Sequence, residues 1–239
     1  IVDVGIKLLE RRIPCVIEKP LGTSLTEIEK LAQVAHDTQT PHMVSVNRRF
    51  MPYLNEARSW MHDHGPLRYV RASQVRHRRD EADFIWSTAI HALDALRYIA
   101  GEVAAFDVTL PQPGNETRWY VVALRFESGT IGQMEVLPTA GMVEESYELF
   151  AEGCRARVTA GSGPQRSLQC WEDGELVMES QADEDQPEDL RNGAYQEVEE
   201  FVHALQTGTR PQPCIDDIRP SARISFAIAD SVRGSALHE

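Results

Sequence analysis

Two side chains in this sequence are placed where an enzyme could use them to move a proton. The first is Lys19, which follows the short apolar run Cys15–Glu18 and precedes Pro20. The run is typical of a buried parallel strand, and ligands of open α/β sheets lie at the carboxyl ends of such strands. A partly desolvated lysine beside Glu18 can exchange protons near neutral pH. Local physics alone favours a plainer alternative, a charged pair that faces solvent at a strand end.

His91 is the second such side chain. It lies one turn before Asp94 and one turn after Ser87, so the three can share one face of a helix that opens near Thr88. The helix dipole favours the neutral form of a histidine near a helix N-terminus, as a proton acceptor in hydride transfer requires. The alternative is a structural histidine, with Asp94 paired to Arg97.

The elements that carry these residues follow two patterns. Over residues 1–46 helix and strand periods alternate, with a capping box at Ser24–Glu27 and a second short strand at Met43–Val46. This order is typical of the last part of a doubly wound sheet. We therefore predict an α/β remnant of a doubly wound sheet over 1–46. An α+β domain with a large, mostly antiparallel sheet is predicted over 47–239.

The second pattern is rich in strands. Helices are predicted at 50–64, 88–100, 194–205 and 222–232, and strands at 67–77, 103–110, 119–126, 130–137, 146–151, 155–160, 166–171 and 175–180. The segment 76–81 is predicted to be a charged loop, and the acidic stretch 183–189 a solvated one.

Composition excludes several classes of function. The chain has 24 Lys and Arg against 37 Asp and Glu, a formal charge of -13, which argues against a nucleic-acid or anionic membrane surface. No apolar run approaches the roughly 20 residues of a membrane helix. The four cysteines lack metal-type spacing and are typical of a reduced, cytoplasmic protein. No metal site is predicted. Because Ile1 already lies inside a helical period, we expect a fragment of a longer protein.

Three segments together resemble the Gfo/Idh/MocA oxidoreductases, which include glucose–fructose oxidoreductase and inositol dehydrogenases. They are Val16–Gly22, Val46–Phe50, and Ile90–Asp94 with Gly101-Glu102 after it. The resemblance covers almost the whole chain. It implies that residues 1–46 are the C-terminal part of a Rossmann (dinucleotide-binding) domain and that 47–239 form a substrate-binding and oligomerisation domain. It implies NAD or NADP as cofactor and a sugar or polyol as substrate. It also implies a homodimer or homotetramer formed through the large sheet.

The same resemblance implies roles for single residues. Lys19 matches the lysine that contacts the substrate and relays its proton, and His91 matches the histidine that exchanges the hydroxyl proton as hydride moves. Glu18 and Pro20, with Lys19, match positions that line the nicotinamide end of the cofactor. Three further residues lie on the segment from which side chains reach the substrate pocket: Asn47, Arg48 and Arg49.

Two departures from the family pattern stand out. Four residues before the histidine, where many members have an aspartate that orients it, this chain has Ser87. A hydroxyl can bind the imidazole but cannot stabilise an imidazolium by charge. Asp83 or Asp94 is the candidate replacement, so Ser87 and Asp94 are also predicted at the substrate site. The second departure is that no GxGxxG turn for a pyrophosphate is present, and we expect it upstream of Ile1.

Three hypotheses follow. The first is an NAD(P)-dependent oxidoreductase that acts on a secondary alcohol of a sugar, sugar derivative or cyclitol. The second is a non-catalytic regulatory protein that binds a sugar or nucleotide on the same scaffold. The third is a free-standing substrate domain without a cofactor site, which predicts no measurable NAD(H) binding by the 239 residues.

Overall fold

A computed structural model describes residues 1–79, 81–111, 119–160, 166–183 and 185–235. The helices are α1 Val2–Glu10, α2 Leu25–Thr38, α3 Pro52–His64, α4 Phe84–Ser87, α5 Ile90–Ala100, α6 Glu188–Arg191, α7 Ala194–Thr207 and α8 Ile215–Ser235, with a 3-10 helix at Asn47–Phe50. The strands are β1 Cys15–Glu18, β2 His42–Ser45, β3 Tyr69–Val75, β4 Val103–Thr109, β5 Tyr120–Phe126, β6 Ile131–Leu137, β7 Glu144–Ala151, β8 Cys154–Ala160, β9 Ser167–Glu172 and β10 Glu175–Gln181.

The first layer is the parallel pair β1 and β2, with α1 and α2 packed together beside it. Its α2 begins much as the capping pattern predicts, because the Ser24 hydroxyl accepts a hydrogen bond from the Glu27 backbone N–H at 3.3 Å. The return bond differs by one residue. The Glu27 carboxylate accepts from the backbone N–H of Thr23 at 2.6 Å, one residue before the N-cap.

The large sheet has eight strands in the order β10-β9-β8-β7-β3-β6-β5-β4. All neighbouring strands are antiparallel except β3 and β6, which run parallel with Tyr69 opposite Ile131. Alternate residues of β3 and β8 are buried, and α3 and α5 pack on the sheet through Leu54 and Leu93. The predicted fold class, an α/β remnant followed by an α+β domain with a large, mostly antiparallel sheet, is therefore confirmed.

Several predicted boundaries need correction. The helix expected from residue 88 begins at Ile90, and the separate short helix α4 precedes it. Arg76, predicted to open a charged loop, is only 9% exposed because it points at a buried carboxylate; Asp80 of that loop lies outside the described residues. The described part of the acidic stretch is exposed as predicted, but it is not all loop, since α6 begins at Glu188.

Helix α8 belongs to both hydrophobic cores. Near its start, Ile215 and Ile218 pack with the first layer, against residues of β1, β2 and α2. Further along, Ile228 and Val232 pack in the core beneath the large sheet. The helix therefore ties the two layers together, and the domain boundary after residue 46 stays a prediction.

A tight turn before α7 holds the 3-10 helix in place. The Asn47 side-chain amide donates to the backbone carbonyl of Asn192 at 2.9 Å. Gly193 follows with φ +87°, and a Cβ there would lie 2.3 Å from the Asn47 carbonyl oxygen and 2.7 Å from the Met51 backbone nitrogen. Only glycine allows this approach of the two backbone segments.

We expect Gly193→Ala to lower the free energy of unfolding by clearly more than the roughly 1–2 kcal/mol that a left-handed alanine costs. The added methyl group must also displace the backbone of the 3-10 helix. The matched control is Gly208→Ala, at φ +69° with nothing within 4 Å of the new Cβ. Urea denaturation of both variants measures the difference, and equal losses would show that the contact does not matter.

Candidate active site

Lys19 lies at the carboxyl end of β1 and is half-buried. Its ammonium group donates a hydrogen bond to the backbone carbonyl of Ser87 at 3.0 Å, and the Lys19–Pro20 peptide bond is cis. Burial lowers the pKa of Lys19, the carboxylate of Glu18 raises it, and the positive charge of Arg48 lowers it again, with a net decrease. Lys19 is therefore a fixed, partly desolvated cation at the edge of the first sheet.

His91 is the second residue of α5 and is 6% exposed. Its Nδ1 is buried and has no hydrogen-bond partner among the described residues. Burial lowers the pKa of His91 well below its usual value, and the positive charges of Arg48 and Lys19 add to the decrease. The imidazole is thus neutral at pH 7, and its ring nitrogens comprise one proton acceptor and one donor.

Glu145 of β7 is the carboxylate around which this site is built. Arg48 binds it through two bonds, Nε to Oε2 at 3.0 Å and the terminal nitrogen to Oε1 at 2.6 Å. Arg76 donates to the same Oε1, Gln74 does so at 3.3 Å, and the Tyr147 hydroxyl donates to Oε2 at 3.4 Å. Burial alone would raise the pKa of Glu145, but the two guanidinium groups lower it far below its usual value. Glu145 is also the carboxylate that raises the pKa of His91.

Sequence reasoning missed Glu145 and Arg76, although a signal was present. Glu145 is in phase with Tyr147 on the buried face of β7, and Arg76 continues the buried phase of β3 that includes Val70 and Ala72. A charged residue in the buried phase of a strand must find a partner of opposite charge. Two such residues in one sheet therefore indicate an internal ion pair.

The segment after β2 is fixed from both sides. The Asn47 side-chain oxygen accepts a hydrogen bond from Arg48 at 2.8 Å. From α7, the carboxylate of Glu197 accepts from the Val46 backbone N–H at 2.6 Å and from the Ser45 hydroxyl at 2.8 Å. Burial raises the pKa of Glu197, and the two donated bonds partly oppose that shift. Arg48 is therefore held in place before any ligand arrives.

The structure does not bring Ser87, His91 and Asp94 together as the helical spacing suggested. Ser87 belongs to α4 and offers its backbone carbonyl to Lys19. Asp94 is 1% exposed and binds Arg49 at 2.7 and 2.9 Å and the Ser221 hydroxyl at 2.7 Å. It also forms an ion pair with Arg97 at 3.5 Å, as the alternative interpretation of this helix predicted. The idea that Asp94 replaces the missing carboxylate beside His91 is therefore wrong. A substrate contact for Arg49 or Asp94 stays a prediction.

Three observations bear on other kinds of site. No three His, Cys, Asp or Glu side chains within the described ranges are grouped so that they could hold a metal ion. All four cysteines are buried and free. No helix in the part of the chain that the structure describes is both long and apolar enough to cross a membrane.

The fold is that of known oxidoreductases. No protein-family model and no curated protein matches the sequence. The chain is similar to the solved structure of a Gfo/Idh/MocA family oxidoreductase from Vibrio cholerae, with 20% identity over 99% of this chain and 76% of that one, at a TM-score of 0.82. It is also similar to an oxidoreductase from Agrobacterium radiobacter in complex with NAD+, L-tartaric acid and magnesium, at 15% identity, 98% and 75% coverage and a TM-score of 0.80.

A third similar structure is the UDP-N-acetylglucosamine 3-dehydrogenase from Acidithiobacillus ferrooxidans, with 15% identity, 98% and 75% coverage and a TM-score of 0.78. This chain thus spans about three quarters of the length of each of these proteins. At such identities the likeness establishes the fold, and the fold implied by the sequence resemblance is confirmed.

Replacing Glu145 by Gln should lower the free energy of unfolding at pH 7 by about 3–5 kcal/mol, because two buried guanidinium groups lose their counter-charge. The control is the neighbouring Glu144→Gln.

The pKa of Glu145 is depressed in the folded state, so the contribution of its charge to stability is complete above the ordinary pKa of 4.5. That contribution is lost progressively as the pH falls from 4.5 toward the folded-state pKa. Denaturant titrations from pH 7 to pH 3 should therefore show the two variants converging in acid.

We expect the imidazole of His91 to remain neutral at pH 6, below the ordinary histidine pKa of about 6.5. The reason is its burial next to Arg48 and Lys19. Imidazole proton shifts followed by NMR from pH 8 to pH 5 measure this, with Gln at position 91 as the variant that assigns the signal. A midpoint at or above 6.5 would contradict the description of this site.

Proposed function

We propose that this protein is an NAD(P)-dependent oxidoreductase that transfers hydride between nicotinamide and a secondary alcohol of a sugar, sugar derivative or cyclitol. One observation carries the proposal. A neutral, buried His91 with an unpartnered Nδ1 among the described residues stands in the electrostatic field of Lys19, which itself lies at the carboxyl end of a parallel strand. A structural histidine at such depth would have its polar atoms paired.

Oxidation of a secondary alcohol removes the hydroxyl proton together with a hydride from the same carbon. His91 is the group that takes the hydroxyl proton, because its imidazole is neutral and has a lone pair to offer. Lys19 donates a hydrogen bond to the alcohol oxygen and stabilises the negative charge that develops there as the proton leaves. In the reverse direction the two residues return the proton to the carbonyl oxygen.

The cofactor fits the described residues at one end only. NAD or NADP, when bound, accepts or donates the hydride. Glu18, Lys19 and Pro20 would line its nicotinamide end, since Glu18 ends β1 and the other two follow it, at the edge where open α/β sheets bind dinucleotides. The sequence has no GxGxxG turn, so these residues do not include a pyrophosphate site.

The similar structures support this choice of chemistry. The Agrobacterium radiobacter protein is in complex with NAD+ and L-tartaric acid, and the Acidithiobacillus ferrooxidans protein is a UDP-N-acetylglucosamine 3-dehydrogenase. A hydroxylated substrate and a nicotinamide cofactor are therefore our proposal for this chain as well. We further propose a cytoplasmic homodimer or homotetramer formed through the large sheet.

The test is turnover of a panel of sugars and inositols with NAD+ and NADP+, followed by absorbance of the reduced nicotinamide. We expect Lys19→Met and His91→Gln each to lower kcat by about 10²–10⁴, the usual contribution of a positioned proton-transfer group. Lys30→Met is the control, since Lys30 is an exposed lysine of α2 in the same layer. Equal activity of the Lys19 and Lys30 variants would refute the proposed role of Lys19.

One observation favours the regulatory alternative: the position where an orienting carboxylate is expected holds Ser87, which has no charge to stabilise a protonated His91. A binding protein on this scaffold would hold NAD(H) tightly and reduce none of it with any polyol. Calorimetric titration of NAD+ and NADH into the purified chain separates the readings. Binding without turnover indicates the regulatory protein, and a dissociation constant in the micromolar range excludes a free-standing substrate domain without a cofactor site.

A further inference from the structure

A cavity of about 150 Å³ lies next to the candidate active site, and four of the residues that line it are arginines. They are Arg48, Arg76, Arg166 and Arg191, and the cavity also meets the carboxylates of Glu145 and Glu188. A cavity of this volume can admit a group as large as benzene. A carboxylate or a phosphate group is therefore small enough to enter.

The charge of the cavity wall is opposite to that of the protein. Four guanidinium groups against two carboxylates leave a net charge of +2 on the lining, whereas the whole chain has a formal charge of -13. Guanidinium groups stay protonated at any physiological pH, so the excess is permanent. An acidic protein that concentrates positive charge in one recess has an electrostatic preference for an anion there.

The four arginines form an inner and an outer pair. The inner pair, Arg48 and Arg76, shares Glu145, whose side chain is only 4% exposed. The outer pair, Arg166 and Arg191, shares Glu188, whose side chain is 52% exposed. The outer guanidinium groups are thus held by a carboxylate that is half exposed to solvent and also accepts a hydrogen bond from the Asn192 amide at 3.4 Å.

Arg191 is incompletely matched by Glu188. The guanidinium of Arg191 is 3.4 Å from Glu188, at the long end for a charged pair, and its buried Nε has no hydrogen-bond partner among the residues described. A carboxylate or phosphate from solution can displace Glu188 and supply the missing acceptor. In the free protein, the Glu188 carboxylate therefore lies where an oxygen atom of the bound anion would lie.

The cavity adjoins the proton-handling residues. Arg48 and Glu145 line it, and the same two charges act on the pKa of His91. We propose that the substrate carries a carboxylate or phosphate group, and that the four arginines of this cavity bind that group while its hydroxyl is presented to His91. This rests on the proposed function, of which it names the substrate class.

Anion binding to the purified chain, without cofactor, is the direct test. One arm titrates inorganic phosphate and the other acetate, with the ionic strength held constant by chloride, and calorimetry gives Kd. We expect saturable binding of phosphate, of acetate or of both. The anion that binds more tightly tells whether the cavity prefers a phosphate or a carboxylate group. Arg191→Gln should weaken it by about tenfold or more, as for a lost hydrogen bond to a charged group. Arg125→Gln, in an exposed part of β5, should leave Kd unchanged.

The Glu188→Gln variant should change the Kd for the anion in the opposite direction to Arg191→Gln. Because it removes the competing carboxylate, we expect it to bind the anion severalfold more tightly than the native chain. Absence of saturable binding, an equal Kd for the Arg191 and Arg125 variants, or weaker binding by Glu188→Gln would each overturn the proposal. If the Arg191 variant does not fold, the Glu188 variant decides. Turnover of neutral polyols, without turnover of sugar acids or sugar phosphates, would refute the proposed anion site and leave the proposed oxidoreductase function standing.

Discussion

The ion cluster of Glu145, Arg48 and Arg76 is the interaction on which the rest of this site depends. An isolated buried charge is prohibitively costly, so each member requires the other two. They come from three separate places in the fold: β7, the 3-10 helix after β2, and the end of β3. The cluster therefore sets where the chain leaving the first sheet meets the large sheet, and it leaves one more positive charge than negative beside His91. Burial, with that excess added to it, lowers the pKa of His91 and keeps the imidazole neutral, which is the state in which it can receive a proton.

The remaining contacts make that arrangement rigid before a ligand binds. Glu197 holds the backbone at Val46 and Gly193 allows the turn before α7 to press on the 3-10 helix, so the backbone on either side of Arg48 is fixed. Lys19 is held by a carbonyl rather than by a carboxylate, so its charge is not neutralised by a partner. Fixed charges that need no reorganisation during a reaction are the kind that stabilise a transition state most effectively.

Much of the fold was predictable because its signals are local. The apolar run ending at Glu18, the capping serine at Ser24 and the alternation along the later strands each depend on neighbours in sequence. Within the candidate site, the sequence pointed to Lys19, Arg48 and His91, and their catalytic and binding roles stay predictions. Pairings such as Arg48 with Glu145, separated by 97 positions, depend on strand register and helix placement, which no local pattern contains. Asp94 is an example of a local pattern that misleads. Its helical spacing suggested a contact with His91, whereas in the folded chain it binds Arg49.

The position of helix α8 late in the sequence determines when the core of the first layer can form during synthesis. Ile215 and Ile218 complete the core of the layer built from the first 46 residues, yet they are synthesised more than 160 residues after it. During synthesis, residues 1–46 therefore keep part of their apolar surface uncovered until the start of α8 has been made. A domain whose core is formed by residues close together in sequence can fold as soon as those residues have been synthesised. The core of the first layer is instead completed by α8, so it forms only after all strands of the large sheet have been made.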